Sequence, residues 1–356
     1  MTRNSLKLLV VSVLGVVLAG CAGKPPEPAA PVAKAAPAVA PAPKSAADDQ
    51  TNFQGWLAAF RADALKKGLK PETLDAALTN LQPIPRVLEL DRKQPEFTMT
   101  FDEYLSRIVK PGRVERGKAM IAANHDLLAQ VSQRYGVPVE HIAAMWGIES
   151  DFGRGMGDYQ LVPALATLAF DGRRSAFFRG ELMNALTIAD KGMAPLEKLK
   201  GSWAGAMGQC QFMPSTYLNF AQSWDGSGKP DIWGNTADVL ASTANYLNSL
   251  GWKAEQRWGY AVKLPKKGLS QSLYGLEVRH DLNQWRKFGV VQINGKKLPE
   301  GGALYSLIRA DSGTNSGGNP GPVYLVGDDF RALMKWNRST FFALAAGTLA
   351  DRLAGR

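Results

Sequence analysis

The sequence predicts a mainly α chain with a small β subdomain inserted towards its C-terminal end. Three observations carry this. Apolar residues recur at spacings of three and four from about Asn52, the stripe of amphipathic helices. Short alternating runs broken by Gly, Pro, Asn and Ser clusters fill residues 256–329. Helical spacing then returns over residues 330–354.

Residues 1–20 read as an export signal. Arg3 and Lys7 form a positive start, residues 8–18 an apolar run, and Leu18-Ala19-Gly20-Cys21 a small-residue cleavage site ending in cysteine. The apolar run is too short for a bilayer core of roughly 30 Å, which needs about twenty residues. A cysteine directly after the cleavage point resembles the bacterial lipobox, which implies lipidation of Cys21. Ala22 follows it, and by the sorting rule of that motif the expected home is the periplasmic face of the outer membrane. Residues 21–50 read as the lipidated cysteine and a tether: from Ala22 to Ala47, 18 of 26 residues are Pro or Ala. Such a segment cannot bury enough surface to offset its ordering entropy, and as polyproline II it reaches about 80 Å at roughly 3.1 Å per residue.

Residues 51–255 read as helical. Phe53, Trp56, Leu57, Phe60, Ala64 and Leu65 form one stripe, and Pro71 opens a second helix. Further helices are expected at 114–135, 138–149, 177–190 and 235–250. Within residues 256–329 strands are expected at 260–264, 290–293, 303–308 and 323–326, with Asn294-Gly295 as a hairpin turn. Residues 330–356 return to helix.

Composition narrows the chemistry. Two cysteines, Cys21 and Cys210, exclude a disulfide scaffold, a four-cysteine zinc site and an iron–sulfur cluster. Three scattered histidines argue against a His-rich metal enzyme. The net charge of +10 favours an anionic partner. An export signal and dispersed charge argue against nucleic acid.

The densest chemical signal is the segment 145–154, which contains Trp146-Gly147-Ile148-Glu149 and Phe152-Gly153. Glu149 falls in the last turn of an apolar helix. The helix end is partially negative and disfavours a second negative charge. Trp146 and Phe152 add a desolvation penalty on the ionised form. Both effects keep the carboxyl protonated, as a general acid requires. The competing reading is an ordinary glutamate facing water. A second segment, 201–217, is rich in small residues and then in aromatic and amide side chains. Gln211 there offers both donor and acceptor to sugar hydroxyls and acetamides.

Together these segments resemble the membrane-bound lytic murein transglycosylase B family. The matching pieces are Trp146-Gly-Ile-Glu149, Phe152-Gly-Arg-x-Met156-Gly157, Ala164-Leu-Ala-Thr-Leu168, Arg173-Arg174, residues 201–217, Ala244-Asn245-Tyr246 and Asn337-Arg-Ser339. The resemblance implies a lysozyme-like α+β core with an additional helical lobe. It implies cleavage of the MurNAc-β-1,4-GlcNAc bond of peptidoglycan, leaving 1,6-anhydromuramyl ends, with Glu149 as the single catalytic residue. Glycosidases ordinarily use two carboxylates. The nearest second acid, Asp151, does not share a helix face with Glu149. The family mechanism needs no second one, because the substrate's own C6 hydroxyl is the nucleophile.

By the same resemblance Ser202, Gln211 and Tyr246 line the groove. Arg173 and Arg174 face anionic stem peptides or lactyl groups, a solvated helix end being the plainer reading, and Asn337 also matches. Trp336 and Phe342 stand where tyrosines are expected, so stacking survives but hydroxyl hydrogen bonds are lost. The loop at 223–233 resembles the family's calcium loop, with Asp225, Ser227, Asp231 and Asp238 as oxygen donors. Serines at two positions and Lys229 beside the site lead to an expectation of weak or absent calcium binding, and no cofactor is required. Expected partners are glycan strands, a membrane through the lipid anchor, and cell-wall synthase or hydrolase complexes. A hydrolytic muramidase and a non-catalytic peptidoglycan-binding scaffold remain open beside the lyase.

Overall fold

A computed structural model describes residues 46–92, 99–310 and 321–356, with side chains from residue 52 onward. The export signal, Cys21 and nearly all of the tether lie outside the described residues. No described helix is long and apolar enough to cross a membrane.

The described residues open with three helices, α1 (Ala46–Lys66), α2 (Pro71–Leu78) and α3 (Pro85–Arg92). Phe53, Leu57, Phe60 and Ala64 of α1 are buried as the stripe predicts, each large apolar side chain contributing about 1.5–3 kcal/mol. Leu65, at the edge of that stripe, is exposed instead. This lobe packs on α8 (Leu161–Phe170) and α9 (Ser175–Asp190). Between them run α4 (Phe101–Ile108), α5 (Pro111–Ala123), α6 (His125–Tyr135) and α7 (Val139–Ser150).

The single helix expected over 114–135 is two. Asn124 breaks it, its side-chain amide donating to the Met120 carbonyl at 2.9 Å, a local bond that competes with the helical ladder. Helix α9 caps two neighbours from outside. Asp190 accepts from Lys70 N–H and the Thr73 hydroxyl at the start of α2, whose own N-cap supplies no side-chain acceptor. Glu181 accepts from the backbone and hydroxyl of Ser215 at the start of α10 (Pro214–Phe220). Each carboxylate satisfies an orphan donor at a partially positive helix end.

Beyond α11 (Thr236–Ser249) the chain forms an antiparallel sheet. Its strands are β3 (Gly259–Lys263), β4 (His280–Asp281), β5 (Val291–Gln292), β6 (Leu304–Arg309) and β7 (Val323–Val326), in the order β4-β6-β7-β3-β5. A separate pair joins β1 (Tyr159–Gln160) to β2 (Lys200–Gly201). Asn294-Gly295 forms the expected turn, with Gly295 at φ 84°. Helix α12 (Leu282–Lys287) was not apparent from the strand-like texture. Its Trp285 fills a second core under the sheet with Leu307 and Leu325.

The expected helix over 330–354 is also divided, into α13 (Asp328–Trp336) and α14 (Thr340–Leu353). Asn337 is extended and the Ser339 side chain caps the restart by accepting from Phe342 N–H. Helix α14 lies against α7 through Ala143, Ala144, Leu349 and Ala350, the three alanines being small enough to let the two backbones approach.

Candidate active site

Glu149 ends an apolar helix whose exit is unusual. Asp151, Phe152 and Gly153 follow with φ of 51°, 61° and 84°, three consecutive left-handed residues. Such conformations are costly for side chains other than glycine and persist only where neighbours enforce them. Two neighbours do. Arg116 donates to both Asp151 carboxylate oxygens at 2.7 and 2.9 Å, and Arg113 adds a bond of 3.2 Å. Burial raises the Asp151 pKa, but the bonds from Arg116 and then Arg113 outweigh it and hold the group below its usual range. The Phe152 ring wedges between α5 and α7 and meets Trp146 edge-on at 5.4 Å. A Cβ on Gly147 would stand 2.7 Å from that ring, so only glycine fits there.

The Glu149 side chain keeps partial exposure as a residue, yet burial pushes its carboxyl up to about 8. The opposing influence is one hydrogen bond: Trp336 Nε1–H donates to Oε1 at 2.7 Å. Trp336 sits among aromatic rings, 4.8 Å from Tyr246 and 5.6 Å from Phe212 between centroids. Tyr246 is buried, its hydroxyl pushed up to about 12 by desolvation and hydrogen-bonded to Thr216. Cys210 is a buried thiol, pushed up to about 12 by burial and held on the Val239 carbonyl.

The 201–213 segment folds back on itself. Met207 and Phe212 exchange backbone hydrogen bonds at 2.8 and 3.1 Å. Gln211, at φ 50°, donates both amide hydrogens to carbonyls, of Met156 at 3.0 Å and Gly208 at 2.8 Å. Its carbonyl oxygen alone is left for a ligand, so it accepts but does not donate. The Ser202 hydroxyl accepts from Ala206 N–H at 3.1 Å. Sequence reasoning passed over Gln209. Its buried amide joins Trp146 Nε1 at 2.7 Å to the Trp233 carbonyl at 2.9 Å, tying the glutamate helix to this loop. The signal was the repeated glutamine in Gly208-Gln209-Cys210-Gln211.

Other expected site residues are placed differently. Arg173 and Arg174 both bind Asp91 at the end of α3, at 2.9 and 2.7 Å, and Arg174 also lies over Phe178. Their charge fastens the helical lobe. Asn337 caps α13 beside Trp336, its N–H donating to Leu333 O. At position 336 the indole N–H donates to Glu149 itself. Phe342 is buried in α14.

The 223–238 loop does not fit calcium. Both oxygens of Asp238 accept backbone N–H groups, from Trp224 and Asp231. Asp231 accepts from Trp233 and Gly234 on one oxygen and pairs with Lys198 at 2.7 Å on the other. Asp225 accepts from the Ser223 hydroxyl and Ser227 N–H. The lysine ammonium stands at a carboxylate that a divalent ion would need.

A glutamate at the end of an apolar helix, its carboxyl pushed up to about 8 by burial, beside an aromatic wall and within a lysozyme-like core carrying an extra helical lobe, defines an enzyme of the lytic transglycosylase class. The chain belongs to the transglycosylase SLT domain family, which it matches over residues 52–351. It is similar to the membrane-bound lytic murein transglycosylase B of Escherichia coli, with 32% identity over 302 residues covering 81% of this chain and 80% of that one. Among solved structures it resembles SltB3 from Pseudomonas aeruginosa in complex with NAG-anhNAM-pentapeptide, at 44% identity and a TM-score of 0.79, covering 85% of this chain and 80% of that one. It also resembles the lytic transglycosylase Slt35 of Escherichia coli in complex with calcium, at 29% identity and a TM-score of 0.69, covering 86% and 93%.

Proposed function

We propose that this chain cleaves the MurNAc-β-1,4-GlcNAc bond of peptidoglycan and closes a 1,6-anhydro ring on the muramyl product, with Glu149 as acid and then base. The observation that carries this reading is the Glu149 carboxyl, pushed up to about 8 while the nearest acid in sequence, Asp151, is tied to Arg113 and Arg116. A proton is present to give, and no second carboxylate is needed to activate water.

Glu149 donates its proton to the glycosidic oxygen, and the GlcNAc portion leaves with a new hydroxyl. The substrate acetamide stabilises the positive charge growing at C1. The carboxylate then takes the C6 hydroxyl proton as O6 attacks C1, which returns Glu149 to its starting state. Trp336 N–H supports the ionised form between the two steps. Ser202, Gln211, Tyr246 and Asn337 form the proposed groove, with the Gln211 carbonyl receiving an N–H such as that of an acetamide. The anhydro-sugar ligand of SltB3 supports this product.

The proposal extends to the setting. Cys21 carries the lipid anchor at the periplasmic face of the outer membrane, residues 22–47 form the tether, and catalysis needs no metal. Mass spectrometry of digested sacculi tests the reaction. Anhydromuramyl ends are expected from the wild type, with E149Q slower by about 10²–10⁴-fold. Reducing ends, or undiminished release by E149Q, would overturn the mechanism.

A further inference from the structure

The sheet edge at β3 and β5 carries six exposed lysines: Lys263, Lys266, Lys267, Lys287, Lys296 and Lys297. No ion pair or side-chain hydrogen bond joins any of them to another described residue. The backbone gathers them. Lys263 pairs with Val291, and Val291 is bridged in turn to Lys297. Directly paired residues project to one face, so Lys263 and Lys297 flank Val291 about 10 Å apart, two strand spacings.

Lys266 and Lys267 occupy a turn closed by Gly268 N–H donating to Pro265 O at 2.8 Å. That turn lies against Gly289, where a Cβ would come within 3.3 Å of the Pro265 ring, two residues after Lys287. Nearby acids are already engaged. Glu300 pairs with Arg286 at 2.8 Å, and Asp281 caps α12 by accepting from Gln284 N–H at 2.7 Å.

We propose that this lysine edge is a docking surface for the acidic peptide stems of the wall polymer, apart from the Glu149 site; it rests on the substrate proposed above. Lysine ammoniums are compact point charges without the planar fork that selects paired oxygens. They suit carboxylates presented at varied spacing, and a repeating polyanion engages several at once. One exposed apolar side chain at the hairpin tip, Ile293, falls short of the apolar face that a membrane-seated element buries.

The test sediments purified sacculi with the full chain carrying E149Q, which keeps the polymer intact. Adding K266Q, K267Q, K296Q and K297Q is expected to weaken binding about tenfold at low salt, with the difference closing as salt screens the charges. Arginine at the same four positions restores binding. Sacculi whose stem carboxylates are capped as neutral amides with carbodiimide and methylamine lose the lysine dependence.

Equal binding by the glutamine variant overturns the proposal, as does lysine dependence that survives on the capped sacculi. So does lysine-dependent binding to anionic phosphatidylglycerol vesicles without any to sacculi. Cleavage is scored separately with Glu149 intact. Absence of products from sacculi would remove the reaction proposed above, whereas equal binding by the glutamine variant removes only the docking surface.

Discussion

The indole N–H of Trp336 lies 2.7 Å from Oε1 of Glu149, joining residues 187 positions apart in the chain. It is the one bond that draws the carboxyl back towards ionisation against the burial that holds it near 8. W336F removes the donor and keeps an aromatic ring. The alkaline limb of the kcat/KM profile is expected to move above its wild-type position, and kcat to fall by up to about 100-fold as the carboxyl loses its anchor. Superimposable pH profiles for wild type and variant would separate Trp336 from the titration of Glu149.

Glu149 also makes stability depend on pH. Its folded pKa of about 8 lies above the ordinary 4.5, so between these values the folded chain keeps a proton that the unfolded chain has lost. Stability contributed by this group therefore falls as pH rises from 4.5 towards 8 and levels beyond. Thermal melts of E149Q should gain on wild type across that window, with little difference at pH 4. A gap that stays constant with pH would show that the carboxyl titrates normally.

Gly147 makes room for Phe152, and the wedge shapes the helix exit directly after Glu149. G147A forces the ring aside and is expected to cost about 1–3 kcal/mol. Pairing it with F152L should recover part of the loss, measured by urea unfolding. An additive double mutant would mean that the two positions do not share the space.

The 223–238 loop predicts indifference to chelators. EDTA and added calcium should leave the melting temperature unchanged, because Lys198 and backbone amides occupy the carboxylates. K198A should lower stability by about 0.5–1 kcal/mol, a small amount because the pair is partly exposed. A calcium-dependent rise of several degrees in the wild type would contradict the donor set.

Local signals in the sequence located Glu149 and the helix that carries it, since apolar spacing and the proline start are read within twelve residues. The alternating runs likewise led to β3, β6 and β7. What escaped depends on partners brought from far along the chain. Nothing near Arg174 reveals Asp91, 83 residues earlier, and nothing near Trp336 reveals Glu149. The breaks at Asn124 and Asn337 escaped for another reason. Both residues lie within apolar periodicity that continues on either side, and the pattern does not register how one residue bonds or extends its backbone.

The distance along the chain between Glu149 and Trp336 has a consequence in time. At a synthesis rate of about 5–20 residues per second, Trp336 emerges roughly 10–40 seconds after Glu149. During that interval the carboxyl has neither its indole partner nor the packing of α14 on α7. A chain cut short before α13 carries the glutamate without its setting. The setting of the proposed catalytic carboxyl is therefore complete only once the final helices have been made.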